Sequence, residues 1–162
     1  MQKFYRTRFF WLMISVLIIV VDQWSKYLAK NYLTLGIPYP ITPFFNLTLA
    51  YNRGVAFSFL SGSSLSHHLL LAAISFILAL SLIIWLFKTP VQKHYRQLAV
   101  SLIIGGALGN FVDRAFIGYV TDFFDFHLGN WHYATFNIAD CAVCIGVVLL
   151  LLEHWWGNKK GE

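Results

Sequence analysis

Asp140 closes the block "FNIAD" (136–140), Asp113 falls in "GGALGNFVDR" (105–114), Asp22 opens "DQWSK" (22–26), and Asp122 and Asp125 share "VTDFFDF" (120–126). These are all the aspartates of the chain, and each lies at the rim of an apolar run or just beyond one. Carboxyl groups become hydrolytic machinery when two of them meet. Two carboxylates about 4 Å apart repel by roughly 4 kcal/mol at an effective dielectric near 20. That is about three pKa units, enough for the pair to share one proton near neutral pH. One acid then takes a proton from water while the other protonates, or hydrogen-bonds, the carbonyl oxygen under attack. This is aspartic protease chemistry, and it needs neither a metal nor a covalent intermediate. By spacing alone Asp113, Asp122 and Asp125 are equally good partners for Asp140.

Each block also has a structural reading. Asn137 with Asp140 three residues on has the form of a capping box, and an acid in the first turn suits the helix dipole. The two readings coexist, because a helix N-terminus favours an anionic side chain there. Asn110, Asp113 and Arg114 stand at i, i+3 and i+4 on one helix face, which must turn from lipid toward the bundle or water. Arg114 and Asn110 then either orient the acids and hold substrate carbonyls, or Arg114 simply pairs with Asp113 or snorkels at the helix end. Asp22 and Lys26 read as an i, i+4 pair facing the bundle. Asn52 and Gly54, in "YNRGVAF" (51–57), read as a turn between strands. Cys141 and Cys144 lack a second pair and read as packing residues, and His67–His68 as interfacial. No H-E-x-x-H is present, and no metal or cofactor is expected.

The elements that must position these groups follow from composition. Of the 162 residues 58% are hydrophobic and 12% charged, which fits neither an ordinary soluble domain nor a disordered chain. Four apolar runs, about 9–29, 69–87, 98–117 and 138–156, each match the ~20 helical residues that cross a ~30 Å hydrocarbon core. The chain reads as one membrane-embedded domain, 1–162, with four transmembrane helices. Lys3, Arg6 and Arg8 precede the first run, but no small-residue cleavage site follows it, so it is expected to be a retained helix. Lys88, Lys93 and Arg96 lie between the second and third runs, and Lys159 and Lys160 follow the fourth. These basic residues share one side, which places both termini in the cytoplasm. The net charge of +5 is thus a topology signal and does not call for nucleic acid. All the aspartates map to the outer side, whereas Glu153 and Glu162 map to the inner side.

The outer segment 36–60 is rich in aromatic, β-branched, Pro and Gly residues, which predicts a small antiparallel element of two to four short strands. "SGSSLSHH" (61–68) offers turn and helix-start chemistry before the second span. The second outer segment, 118–135, carries Trp and Tyr suited to an interface. Gly105 and Gly109 form a G-x-x-x-G pattern for close helix approach.

Taken in order, "DQWSK", "YNRGVAF", "GGALGNFVDR", "VTDFFDF" and "FNIAD" resemble the blocks of the lipoprotein signal peptidases, also called signal peptidase II. The resemblance extends from Phe9 to Trp156 and includes the four spans. It implies an aspartyl endopeptidase of the bacterial cytoplasmic (inner) membrane that cleaves diacylglyceryl-modified prolipoproteins immediately before the lipidated cysteine. It implies Asp122 and Asp140 as the catalytic dyad, with Asp22, Lys26, Asn52, Gly54, Asn110, Arg114 and Asn137 in support. It further implies an extracytoplasmic β-cradle with a short outer helix, contact with membrane lipid, and sensitivity to globomycin-type inhibitors. A monomer is expected.

The alternative is a small transporter or assembly subunit with an acidic proton relay. That reading requires titratable residues through the full depth of the bundle, and the inner halves of the runs are almost wholly apolar. No G-x-G-D or G-x-S-G motif of other intramembrane proteases occurs.

Overall fold

The computed structural model describes residues 2–54 and 65–158, with side chains described for 8–54 and 68–156. Expectations for 55–64, which include the end of the outer β segment and most of the "SGSSLSHH" turn, lie outside the described residues. So do those for the side chains of Lys3, Arg6, His67, Lys159 and Lys160.

Four helices, α1 (Gln2–Tyr32), α2 (Leu65–Lys88), α3 (His94–Phe116) and α4 (Ile138–Asn158), coincide with the four apolar runs. Each contains a segment long and apolar enough to cross a membrane. Chemistry sets their ends. Beyond α2 the sequence Thr89-Pro90 excludes a further helical turn, because the residue before proline is driven from the α region. The buried Arg8 guanidinium reaches across from α1 to take the carbonyls of Leu86 and Thr89. Helix α3 starts earlier than its apolar run because Arg96, in its first turn, is anchored by Glu153 of α4 at 2.7 Å. It ends at Gly118, whose φ of +84° suits glycine, with the N–H groups of Ile117 and Gly118 both given to the Asp113 carbonyl.

Helix α3 is the axis of the bundle: it packs along α1, α2 and α4, while α1 also meets α4. Accordingly 56% of its most apolar window is buried, against 17% in each of the other three. Glycine makes the approach possible. A Cβ at Gly105 would meet the Ser15 carbonyl of α1 at 2.9 Å, one at Gly106 would overlap the Ala139 carbonyl of α4, and one at Gly146 would meet the Ala99 carbonyl of α3 at 2.7 Å. The G-x-x-x-G pair therefore lies against Ser15, Ile18 and Asp22 of α1, while Gly106 and Gly146 form a second seam between α3 and α4. Large apolar side chains such as Phe10, Leu17, Ile77, Ile84 and Leu151 stand exposed on the outside, where hydrocarbon would cover them.

The outer layer is a four-stranded antiparallel sheet in the order β1 (Tyr39–Thr42), β2 (Phe45–Asn52), β3 (Val120–Leu128), β4 (Trp131–His132). The antiparallel strands expected in 36–60 are present as β1 and β2, and the sheet extends beyond that segment. Only two described strands come from that segment, and β2 pairs with β3 from the second outer segment, with Ala50 opposite Asp122 and Asn52 opposite Val120. Aspartate is depleted in strands, which hid β3 in the sequence. Tertiary burial of Val120, Thr121, Asp122 and Phe123 overrides that preference. No short outer helix occurs among the described residues, which exclude 55–64.

Candidate active site

The sheet sits where α1, α3 and α4 converge, and its β3 strand carries Asp122 to the start of α4. There Asn137 and Asp140 form the reciprocal cap that their spacing suggests. The Asn137 N–H donates to Asp140 Oδ2 at 3.1 Å, and the Asp140 N–H donates to Asn137 Oδ1 at 3.0 Å. That cap leaves the Asn137 side-chain amide facing the sheet, where Nδ2 donates to Asp122 Oδ1 at 2.6 Å. One residue thus holds both carboxylates. Asn110, from α3, donates to Asp140 Oδ1 at 2.8 Å and accepts from Lys26 at 2.9 Å and from Asn137 at 3.2 Å. Asn52 donates to the second oxygen of Asp122 at 3.1 Å, and its own Oδ1 is held by the Gly54 N–H at 2.9 Å. Gly54 has a φ of +95°, a conformation side chains resist, so glycine is what permits this turn.

Asp122 is 1% exposed. Burial, and then the charge of Asp140, push its carboxyl up to about 6, against the hydrogen bonds from Asn52 and Asn137 that pull it down. An acid that retains its proton toward neutrality, beside a second acid, is the electrostatic condition for a proton-sharing pair. Arg114 is within electrostatic reach of Asp140, Asp122 and Asp113. No ion pair among the described residues engages it, so the expected alternative of an Asp113–Arg114 pair is not what α3 forms.

The other aspartates go elsewhere. Asp22 pairs with Lys26 at 2.8 Å, as the i, i+4 spacing suggests, and Lys26 also reaches Asp113 at 3.2 Å. Asp125 faces away from Asp140. Its oxygens take hydrogen bonds from Thr48 at 2.8 Å, Asn46 at 3.4 Å and the His132 ring at 2.8 Å. Burial alone would raise its carboxyl, but these donors hold it below its ordinary value. Of the three partners that spacing left open for Asp140, the fold brings up Asp122.

Two participants lacked a clear sequence signal. Gln23 adjoins Asp22, and its amide lies 3.2 Å from Asp22, 3.0 Å from Asp113 and 3.1 Å from the Gly109 carbonyl. Thr121 gives its N–H to Asp113 at 2.9 Å. A face-by-face reading of α1 would have flagged Gln23 as a polar residue beside the buried pair; nothing local marks Thr121.

Four spanning helices capped by an acid-bearing sheet define the architecture of a polytopic membrane enzyme. Two solved bacterial membrane enzymes, both determined by the in meso method, share it. One, at 2.3 Å, aligns with a TM-score of 0.82 and 31% identity, covering 94% of this chain and 91% of that one. The other, at 1.9 Å, aligns with a TM-score of 0.76 and 33% identity, covering 88% and 90%. The family model for signal peptidase (SPase) II matches residues 14–156. A lipoprotein signal peptidase of Coxiella burnetii (strain Dugway 5J108-111) is 54% identical over 142 residues, 88% of this chain and 87% of that protein. Another, from Francisella tularensis subsp. novicida (strain U112), is 46% identical over 156 residues, 96% and 97% of the two chains. The chain belongs to the signal peptidase II family. It is a multi-pass bacterial membrane peptidase, and its reaction is removal of the signal peptide from prolipoproteins.

Proposed function

We propose that cleavage is aspartic, with Asp122 and Asp140 as the dyad, and that it falls immediately before the diacylglyceryl-modified cysteine at the outer face of the cytoplasmic membrane. The observation that carries this reading is the single asparagine, Asn137, bonded to both carboxylates. Asp140 receives N–H donors at both oxygens and occupies the first turn of a helix, the setting of a proton acceptor. Asp122, raised to about 6, is the proton holder. Asp140 then removes a proton from a water molecule lying between the acids. The resulting hydroxide attacks the scissile carbonyl, and the Asp122 proton passes to the carbonyl oxygen. Collapse of the tetrahedral intermediate breaks the C–N bond: the proton gained by Asp140 leaves with the amine, and a hydroxyl proton of the intermediate returns to Asp122 as the new carboxyl group forms.

The placement of the dyad suits the substrate. A signal peptide lies across the bilayer as a helix, and its lipidated cysteine is held at the surface by its acyl chains. The scissile bond is therefore presented at the rim, the depth of Asp140 at the head of α4. Arg114, in no ion pair among the described residues and within electrostatic reach of both acids, suits a substrate carbonyl. The basic residues Arg8, Lys88, Lys93 and Arg96 lie at the opposite end of the bundle, which supports cytoplasmic termini. The same rim would receive globomycin-type inhibitors, and one protomer carries the whole set of groups.

No Asp, Glu, Lys, Arg or His occurs in 9–21, 69–87, 98–109 or 141–152, so no relay crosses the bundle and the transporter reading finds no support. The test is purified Asp122→Asn and Asp140→Asn enzyme assayed on a diacylglyceryl prolipoprotein. Each should insert and fold yet lose cleavage. Activity retained in Asp140→Asn, with only stability lowered, would reduce that residue to a cap.

A further inference from the structure

Two carboxylates buried beneath the dyad take no part in the chemistry above, and their arrangement is symmetrical. Asp22 Oδ1 accepts the backbone N–H of Ala139 at 2.9 Å, and Ala139 is the residue before Asp140. Asp113 Oδ2 accepts the backbone N–H of Thr121 at 2.9 Å, and Thr121 is the residue before Asp122. Both acids are 0% exposed, and Lys26, at 1%, stands between them. Its ammonium has three donors and finds three acceptors: Asp22 at 2.8 Å, Asp113 at 3.2 Å and Asn110 at 2.9 Å. The Gln23 amide spans the same two acids a second time, at 3.2 and 3.0 Å.

We propose that Asp113 is a positioning residue of this peptidase: with Asp22, Lys26 and Gln23 it forms a brace that grips the main chain immediately ahead of each dyad acid and so fixes the distance between them. The proposal rests on the Asp122–Asp140 reading. Its physical basis is that β3 and α4 share no covalent rigidity. Asp122 ends up beside Asp140 only if the strand and the helix are both tied to a common support, and α1 with α3 provides it. The grip is on backbone N–H groups, so it sets the position of the whole residue that follows and does not depend on that residue's rotamer. Bringing charges into this depth is costly unless every partner is satisfied, and here the ammonium, both carboxylates and the two main-chain donors are all bonded. Reacting groups displaced by about 1 Å can lose roughly a hundredfold in rate, so the brace bears on turnover more than on substrate affinity.

The experiment compares Asp113→Asn, Gln23→Met, the double variant and Asp122→Asn as full-length purified enzymes on one diacylglyceryl prolipoprotein. Folded fraction is measured by circular dichroism and size exclusion. In Asp113→Asn one acceptor oxygen becomes a donor facing Lys26 or Gln23, so one arm opens. We expect kcat per folded enzyme to fall about tenfold or more with KM within about twofold. Gln23→Met leaves every charge in place and should lose about threefold in kcat, and the double variant should fall no further than Asp113→Asn, as members of one unit do. A kcat per folded enzyme within about twofold of wild type in Asp113→Asn, or a loss carried by KM, overturns the brace while Asp122→Asn stays inactive. If Asp113→Asn does not fold, Gln23→Met decides: wild-type kcat there overturns the proposal equally. Activity in Asp122→Asn instead overturns the dyad, and the brace with it.

Discussion

Asn137 donates its side-chain amide to Asp122 across 2.6 Å while its own backbone and side-chain oxygen cap the helix that begins with Asp140. The two jobs use different atoms of one side chain, so they can be separated by substitution.

Replacing Asn137 by alanine removes the cap, at about 1 kcal/mol, and the donor to Asp122. Replacement by serine restores a capping oxygen but cannot span to Asp122. We expect Asn137→Ser to recover the thermal stability lost in Asn137→Ala and to remain at least tenfold below wild type in cleavage, the range typical of lost positioning. Melting temperature and kcat, measured side by side, check this. Recovery of both by serine would leave the Asp122 contact without a role.

The pH profile should follow Asp122. If the proposed pair works with one proton, raising the pH above the region near 6 should strip that proton and lower kcat on the alkaline side. The Asn52 hydrogen bond lowers the carboxyl of Asp122, so Asn52→Ala should move the alkaline limb to higher pH while reducing its height. A limb that stays in place or moves down contradicts the assignment of Asp122 as proton holder.

Asp125 serves as a contrast. Its hydrogen bonds to His132, Thr48 and Asn46 outweigh burial and hold its carboxyl below the ordinary value near 3.8. A depressed folded value adds stability that is present above that pH and disappears as the medium is acidified through the folded value. Asp125→Asn should therefore be less stable than wild type at neutral pH, with the gap closing on acidification. Because Asp125 faces away from Asp140, cleavage by the folded variant should persist. Complete loss of cleavage in Asp125→Asn, with Asp122→Asn active, would move the dyad three residues along β3.

Gly106 and Gly146 offer a paired test of the α3–α4 seam. An added methyl at either meets a main-chain carbonyl, Ala139 or Ala99, that cannot swing aside. Overpacking of this kind costs about 1–3 kcal/mol, so both alanine variants should melt lower. Only Gly106 presses on the residue before Asp140. Gly106→Ala should also cut kcat per folded enzyme, whereas Gly146→Ala should not.

Much of this was legible in the sequence. The lengths of the four apolar runs place four helices, because lipid demands continuous hydrogen-bonded spans. The i, i+3 relation of Asn137 and Asp140 foretells the cap, and the i, i+4 relation of Asp22 and Lys26 foretells their ion pair. What spacing could not supply was the partner of Asp140, because Asp122 arrives on a strand whose pairing with β2 joins segments about 70 residues apart. Nor could it supply the contact of Asp113 with Thr121. A bond from a side chain to a distant main-chain N–H leaves no trace in residue type.

The pairing of β2 with β3 also governs when the protein becomes dangerous. During synthesis the first helix, the outer strand after it and the central helix are all laid down before β3 and α4 emerge, so a chain halted after α3 carries Asp22, Lys26, Asn52 and Asn110 but neither acid of the proposed pair. Competence to cut arrives with the last membrane insertion, in one step. A half-made protease surrounded by newly exported leader sequences is thereby kept harmless.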